Sequence, residues 1–190
     1  MSHTESREAY REFYRGLAAH GNQHLNADFG RIQFALRHIR WGDAVLEMGC
    51  QDGGITQHIA RKAATVYAVE INREAIDRAP ALPNVRYECS FAEDLDHGEV
   101  FNVVLVMELL EHVMDPFELL CVAHNATKPG GKLILTVPEA GKYVDNIGEH
   151  VREYDDAALF MELSRVYGPA NVDVFPERNG TSLFGLAVRE

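Results

Sequence analysis

The feature that most constrains the fold is a short apolar run that leads directly into a glycine-containing turn, within residues 45–54. A helical pattern over 55–63 and a second apolar run over 65–69 follow the turn. Each run ends at a carboxylate, Glu47 in the first and Glu70 after the second. Strand, glycine turn, helix, strand and acid make up the βαβ unit of nucleotide-type ligand sites. The sequence therefore predicts a ligand site at the carboxyl ends of these two strands.

The chemistry of this turn indicates which ligand it suits. Gly49 and Gly53 allow the backbone to approach a ligand closely. Glu70 suits a ribose diol, because a carboxylate can accept both hydroxyl protons. Glu47 would repel a pyrophosphate, so the turn favours a ligand that carries a cationic group. Gln51 lies between the glycines, and the spacing departs from the G-x-G-x-x-G fingerprint of dinucleotide sites.

Apolar runs and helical spacings alternate along the rest of the chain. This alternation predicts a mainly parallel, doubly wound α/β sheet, and the last two runs predict a terminal antiparallel hairpin. The further strands are predicted at 85–88, 101–107, 132–137, 172–175 and 183–188, and the further helices at 5–17, 29–39, 73–79, 116–126 and 155–167.

Length, charge and composition narrow the class of partner. With 190 residues, of which 46% are hydrophobic, the chain can form one domain with its own core. The net charge of −11 disfavours nucleic acid, which normally requires a basic surface. The basic residues within 31–40, beginning with Arg31, are expected on the solvated face of a helix. A small neutral or cationic acceptor is therefore favoured.

The expected compartment is the cytoplasm. The apolar runs are too short to span a bilayer, and the polar N-terminus has no signal-peptide core. Cys50, Cys89 and Cys121 are odd in number and lack paired spacing, which fits a reducing environment and argues against both a disulfide framework and a zinc cluster.

The segment that begins at Glu47 resembles motif I, E/D-x-G-x-G-x-G, of the class I S-adenosylmethionine (SAM)-dependent methyltransferases. Glu47, Gly49 and Gly53 match this motif, and Gln51 replaces the middle glycine. The resemblance implies that the turn holds the methionine end of SAM and that Glu70 holds its ribose. It also implies a seven-stranded sheet of order 3-2-1-4-5-7-6 with strand 7 antiparallel, formed by residues 29–190.

Two further segments carry the expected cofactor contacts. Residues 90–95 resemble the adenine segment of the family, G-D-A-x-x-L, with Phe91 where an aspartate is common. The resemblance places Phe91, Ala92 and Glu93 at the adenine, although a solvated acidic turn is the alternative. Ile71, after strand 2, and Met107, at the end of strand 4, complete the predicted cofactor set, because ligands sit at the carboxyl ends of such strands.

Residues 107–116 resemble the V-L-E-H-V-x-D-P run of small-molecule methyltransferases. If residues 108–113 form a helical turn, Glu108 and His112 share one face, with Glu111 beside them. The resemblance implies that His112 faces the acceptor, where an imidazole backed by a carboxylate can accept a hydroxyl proton. Residues 128–135 match the K-P-G-G-x-L turn that precedes strand 5, which is a structural feature of the family.

A second histidine, His150, lies in a segment similar to H-V-R-E-Y/F runs of the family. Together with Glu108, Glu111 and His112, it resembles the metal group of bacterial small-RNA 3′-end 2′-O-methyltransferases. Those enzymes have two adjacent histidines, whereas Val113 follows His112 here. The predicted ligands Glu108, Glu111, His112 and His150 suit Mg²⁺ or Mn²⁺. The alternatives are an ordinary helix without metal and a loop histidine bonded to the backbone.

The sequence therefore predicts a SAM-dependent methyltransferase, a monomer or homodimer, that methylates a hydroxyl of a small molecule, with a sugar or polyol favoured. His112 and His150 are the predicted catalytic residues. Residues 1–28 are predicted to form a helical segment, either a lid over the cofactor cleft or a packing helix. Two other functions stay open: 2′-O-methylation of an RNA end, and a non-catalytic SAM-binding or scaffold protein, which Gln51 and Phe91 would permit.

Overall fold

The computed structural model describes residues 29–98, 100–142, 150–178 and 180–190. The predicted helix at 5–17 and the lid assigned to residues 1–28 lie outside this range.

Seven strands and five α-helices alternate through the described residues. The strands are β1 Ala44–Met48, β2 Thr65–Glu70, β3 Val85–Cys89, β4 Phe101–Met107, β5 Thr127–Pro138, β6 Val172–Pro176 and β7 Ser182–Val188. The helices are α1 Phe29–His38, α2 Thr56–Ile59, α3 Arg73–Arg78, α4 Pro116–Ala126 and α5 Asp156–Tyr167, with short 3₁₀ turns at Ala92–Asp94 and Pro169–Asn171.

All seven strands form one sheet in the order β3-β2-β1-β4-β5-β7-β6, as predicted. The first five strands are parallel to one another, and β7 is antiparallel to both β5 and β6. The chain reverses its direction of winding between β1 and β4, which are hydrogen-bonded neighbours. In open α/β sheets the ligand site lies at this switch point, outside the carboxyl ends of the strands.

Helices cover both faces of the sheet, which explains why β4 is a continuous apolar run. Val104 and Val106 of β4 belong to the core that faces α4 and α5. Val103 and Leu105 alternate with them and belong to the core on the opposite face, toward α1 and α2. Because both faces of β4 are buried, its carboxyl end is held rigidly where the predicted acceptor segment begins.

Two elements differ from their predicted bounds by more than one residue. The helix predicted at 55–63 is only one turn, Thr56–Ile59. The Asn84 side chain donates to the carbonyls of Ala60 and Ala63, at 2.8 and 3.1 Å, where an α-helix would use them internally. Strand β5 is longer than predicted, because Thr127 already pairs with Phe101 before an irregularity in register ahead of Lys132.

No helix in the described residues is long and apolar enough to cross a bilayer. Cys50, Cys89 and Cys121 are all free cysteines.

Candidate active site

The turn after β1 is held against the end of β2 by backbone hydrogen bonds. The amides of Gly49 and Cys50 both donate to the Val69 carbonyl, at 2.8 and 3.0 Å. Gln51 adopts a φ of 47°, in the left-handed region that glycine tolerates best. This conformation explains why the family motif has a glycine here, and the Gln51 amide uses it to donate to Glu70 Oε2 at 3.1 Å.

Glu70 is 9% exposed and accepts backbone hydrogen bonds from Gln51 and, at 2.9 Å, from Asn72. Burial raises the pKa of its carboxyl above the usual value, and backbone hydrogen bonds from Asn72, Gln51 and Ile71 oppose that shift. A carboxylate has about four acceptor positions, so these three bonds still leave acceptor capacity for a ligand. The side chain therefore braces the turn and can still accept hydrogen bonds from a diol.

A pocket opens beside Glu70. Six of the predicted cofactor residues line it, and Glu47, Gln51, Gly53 and Met107 are not among its lining residues. Leu109 and Val113, from the segment after β4, form part of its wall and were not predicted. The lining residues are Gly49, Val69, Glu70, Ile71, Ser90, Phe91, Ala92, Glu93, Leu109 and Val113.

Glu47 and Met107 are directed into the protein. Glu47 is 2% exposed and accepts a 2.6 Å hydrogen bond from the Thr56 hydroxyl. Burial raises the pKa of Glu47 to about 7, although this hydrogen bond opposes the shift. Met107 is 6% exposed, and its sulfur accepts a 3.6 Å hydrogen bond from Thr136. Nothing in the motif identified Thr56, whose role follows from a contact between β1 and α2.

The segment after β4 is not the helical turn on which the pairing of Glu108 with His112 depended. Glu108 has a φ of 51°, and its amide donates to the Thr136 carbonyl at 2.9 Å. Its carboxylate lies 3.6 Å from the guanidinium of Arg31, whose side chain is 24% exposed. The expectation that Arg31 lies on a solvated helix face is therefore wrong, because α1 turns this side chain toward the site.

Glu111, His112 and His150 come together beside the pocket, with one potential ligand atom from each residue lying within 4.8 Å of the others. Glu111 Oε1 is 3.7 Å from His112 Nε2, and the two imidazole centroids are 4.8 Å apart. The backbone connects the two segments, since the Val151 amide donates to the Glu111 carbonyl at 3.0 Å. Glu108, the fourth predicted metal ligand, is not a member of this group.

The ionised form of Glu111 is electrostatically unfavourable. Its side chain is 2% exposed, and neither carboxylate oxygen has a hydrogen-bond partner among the described residues. Burial, and then the nearby charge of Glu108, raise the pKa of Glu111 well above its usual value. A buried carboxylate without a donor is costly, and a bound cation would satisfy it. The donor set of one carboxylate and two imidazoles fits a divalent metal ion.

Comparison with known protein families shows to which family the chain belongs. A family described as "Methyltransferase domain" matches residues 17–184, which is most of the chain. The chain belongs to the class I SAM-dependent methyltransferase family. The observed strand order is the one that the resemblance implied.

Curated relatives of this methyltransferase match over part of their length. The ubiquinone biosynthesis O-methyltransferase of Neisseria meningitidis is 36% identical over 104 residues, which cover 50% of this chain and 44% of the relative. Its counterpart in Coxiella burnetii is 34% identical over 101 residues, covering 50% and 43%. The matched region is thus under half the length of these relatives.

Solved structures extend the similarity of fold to the whole chain. The 1,6-didemethyltoxoflavin-N1-methyltransferase of Burkholderia thailandensis has a TM-score of 0.81 at 18% identity, covering 100% of this chain and 91% of its own. The N-terminal domain of EvdMO1, solved with S-adenosylhomocysteine, has a TM-score of 0.68 at 21% identity, covering 90% and 86%. At these identities the likeness concerns the fold.

Proposed function

We propose that this methyltransferase transfers a methyl group from SAM to a hydroxyl of a small molecule. The observation that carries the proposal is the group of Glu111, His112 and His150 beside the pocket. Leu109 and Val113 line that pocket and flank Glu111 and His112 in the chain, so the group borders the space in which the cofactor would lie. A cluster of bases at this position suits an acceptor that must lose a proton.

Different pocket residues would contact different parts of the cofactor. Glu70 would accept hydrogen bonds from the ribose hydroxyls. Phe91, Ala92 and Glu93 would contact the adenine, with Phe91, 5% exposed, against the ring. The turn that includes Gly49 would enclose the methionine end. SAM supplies the methyl group on a sulfonium, and the protein contributes orientation and exclusion of water.

The histidines can act on the acceptor in two ways. As a general base, His112 or His150 would accept the hydroxyl proton, which is worth about 10²- to 10⁴-fold in rate. Alternatively, Glu111, His112 and His150 would together hold Mg²⁺ or Mn²⁺. Such an ion favours the ionised form of a hydroxyl that it contacts. The buried oxygens of Glu111, which accept no hydrogen bond from the described residues, support this second role.

The acceptor class rests on the same group. Imidazoles and a carboxylate suit vicinal hydroxyls, so a sugar or another polyol is the proposed acceptor. The oxygen acceptor is supported by the relatives that are named as O-methyltransferases. The proposed reaction is compatible with a monomer or a homodimer. The role of residues 1–28 as a lid also stays a prediction.

The test combines binding and turnover. Calorimetry should show SAM binding, and the acceptor panel should contain polyols, sugars and aromatic diols. His112→Ala should lower turnover by at least about 10²-fold while SAM affinity stays within about twofold. His97→Ala is the matched control, because His97 contacts Tyr67 and Phe101 rather than the Glu111 group. If His112→Ala lowers affinity and turnover equally, His112 has a structural role.

The group of Glu111, His112 and His150 also favours a second candidate function, 2′-O-methylation of an RNA end. The net charge of −11 opposes an RNA substrate. A gel shift with short RNA at low salt distinguishes the two acceptors, since absence of binding removes RNA. SAM binding without turnover on any acceptor would instead favour the non-catalytic function.

A further inference from the structure

Beneath the turn after β1 lies a contact that joins three distant parts of the chain. Glu47 lies near the carboxyl end of β1, and Thr56 is the first residue of α2, directly after the turn. Both side chains are buried, at 2% and 0% exposure, and the Thr56 hydroxyl donates to Glu47 Oε2 at 2.6 Å. The turn is thus closed at its base by a side-chain hydrogen bond in addition to its backbone bonds.

The third contributor is Tyr87 of β3, which lies under Gly53. A β-carbon built on Gly53 would be 2.7 Å from the Tyr87 hydroxyl oxygen. The tyrosine therefore occupies the space that a side chain at position 53 would need. Because β3 lies two strands away from β1, the support for the turn comes from the sheet as well as from α2.

The titratable groups around the contact of Glu47 with Thr56 are acids. Cys50 of the turn has Glu47, Glu70 and Asp52 as neighbours, and Tyr87 of β3 has Cys50, Glu47 and Asp52 as neighbours. Burial, and then the neighbouring Cys50 and Glu47, raise the pKa of Tyr87 to about 12. Burial, followed by Glu47 and Glu70, raises the pKa of Cys50 well above its usual value. Thr56 donates a hydrogen bond to Glu47, which favours the ionised carboxylate.

We infer that Thr56 and Tyr87 are positioning residues for the cofactor turn: Thr56 fixes the Glu47 carboxylate beneath it, and Tyr87 sets its height at Gly53. This inference rests on the proposed cofactor site. Glu47 then acts on the cationic cofactor from below the turn, as a buried charge that Thr56 keeps in place. Because Glu47 is not among the residues that line the pocket, its influence is electrostatic and conformational.

A dependence on pH follows from this arrangement. The pKa of Glu47 is raised to about 7, so its charge develops as the pH rises through that value. A negative charge beneath the turn favours a cation, and SAM affinity should therefore increase across the same range. Loss of the Thr56 hydrogen bond would raise the pKa further and move the inflection to higher pH.

The experiment is calorimetric titration of SAM at several pH values between about 6 and 9, on the full chain. Thr56→Val should weaken binding near pH 7 by about tenfold and shift the inflection upward, because it removes the donor and keeps the volume. Thr56→Ser retains the hydroxyl and should restore both affinity and inflection. Tyr87→Phe should weaken binding at every pH without shifting the inflection.

Glu47→Gln identifies the titrating group, because it can still accept from Thr56 but carries no charge. It should abolish the inflection near 7, and an inflection that persists there would come from a group other than Glu47 and overturn the inference. Wild-type affinity and inflection in Thr56→Val would also overturn it. If Thr56→Val does not fold, Glu47→Gln decides alone. If the wild type binds no SAM at any pH, the proposed cofactor site fails instead.

Discussion

At the scale of single residues, the Glu70 carboxylate combines two tasks. Its carboxylate supports the backbone at Gln51 and Asn72, and it faces the pocket. Glu70→Ala should weaken SAM binding by more than about 1.5 kcal/mol, since a charged acceptor is lost. Calorimetry measures this change, and Glu74→Ala on the exposed start of α3 is the control. Unchanged affinity in Glu70→Ala would refute the ribose assignment.

Glu47 should make the stability of the protein depend on pH. Its pKa is 4.5 in the reference state and about 7 in the fold. The fold therefore loses stability as the pH rises from about 4.5, where the unfolded chain begins to ionise, to about 7, where the folded carboxyl does. The loss amounts to about 2 to 3 kcal/mol of unfolding free energy.

Urea unfolding of the wild type and of Glu47→Gln, at about pH 5 and pH 8, measures the contribution of Glu47 to the free energy of unfolding. The wild type should lose about 2 kcal/mol more than the variant between the two conditions. Other buried acids contribute to both proteins and cancel in the difference. An equal pH dependence in the two proteins would show that Glu47 is ionised in the fold without cost.

At the scale of elements, the turn between β1 and α2 depends on Gly53 for two reasons. Gly53 has a φ of +78°, which a side chain rarely adopts, and a β-carbon there would collide with Tyr87. Gly53→Ala should therefore lower stability by about 1 to 3 kcal/mol and weaken SAM binding. In the double variant with Tyr87→Phe the collision is relieved and the backbone strain stays, so part of the loss should return. Full additivity of the two changes would exclude the contact.

The elements themselves were largely predictable. The apolar runs at β1, β2 and β4 are short and nearly continuous, as strands of a sheet covered on both faces are, and the motif resemblance implied the observed strand order. The ends of elements were less predictable, because they depend on contacts between distant residues. Helix α2 ends early, and the Asn84 side chain donates to the carbonyls of Ala60 and Ala63 just after it. No local signal in the sequence encodes that contact.

The same distinction holds within the candidate site. Glu70 ends β2, and the segment that begins at Phe91 closely follows β3. Their positions in the sequence therefore suffice to predict that they lie at the pocket. Thr56, Tyr87 and Arg31 reach the site from other elements through tertiary contacts. The left-handed backbone at Glu108 likewise cannot be read from a segment whose residue types favour a helical turn.

At the scale of the whole molecule, the proposed cofactor pocket and the group of Glu111, His112 and His150 both involve segments that follow strand ends at the carboxyl edge of the sheet. The acidic side chains Glu108, Glu111 and Glu70 belong to these segments, in a chain whose net charge is −11, and burial lowers the charge of Glu111 and Glu70 until a cation is bound. Such a region attracts cations and repels polyanions. A cationic cofactor, a divalent ion and a neutral acceptor are mutually compatible in this field.

Metal binding offers the clearest test at this scale, because it should stabilise the whole fold through one side chain. At an excess of Mn²⁺ of about 100 times the Kd, the wild type should gain about 2.7 kcal/mol, or roughly 5 to 10 °C in Tm. Glu111→Gln should lose this gain, and Glu153→Gln, an exposed glutamate near His150, should keep it. In EDTA, Glu111→Gln should unfold at no lower temperature than the wild type, because Glu111 makes no side-chain hydrogen bond within the described chain. An equal Mn²⁺ effect in Glu111→Gln would place the ion elsewhere, and no effect in any variant would leave His112 and His150 as bases.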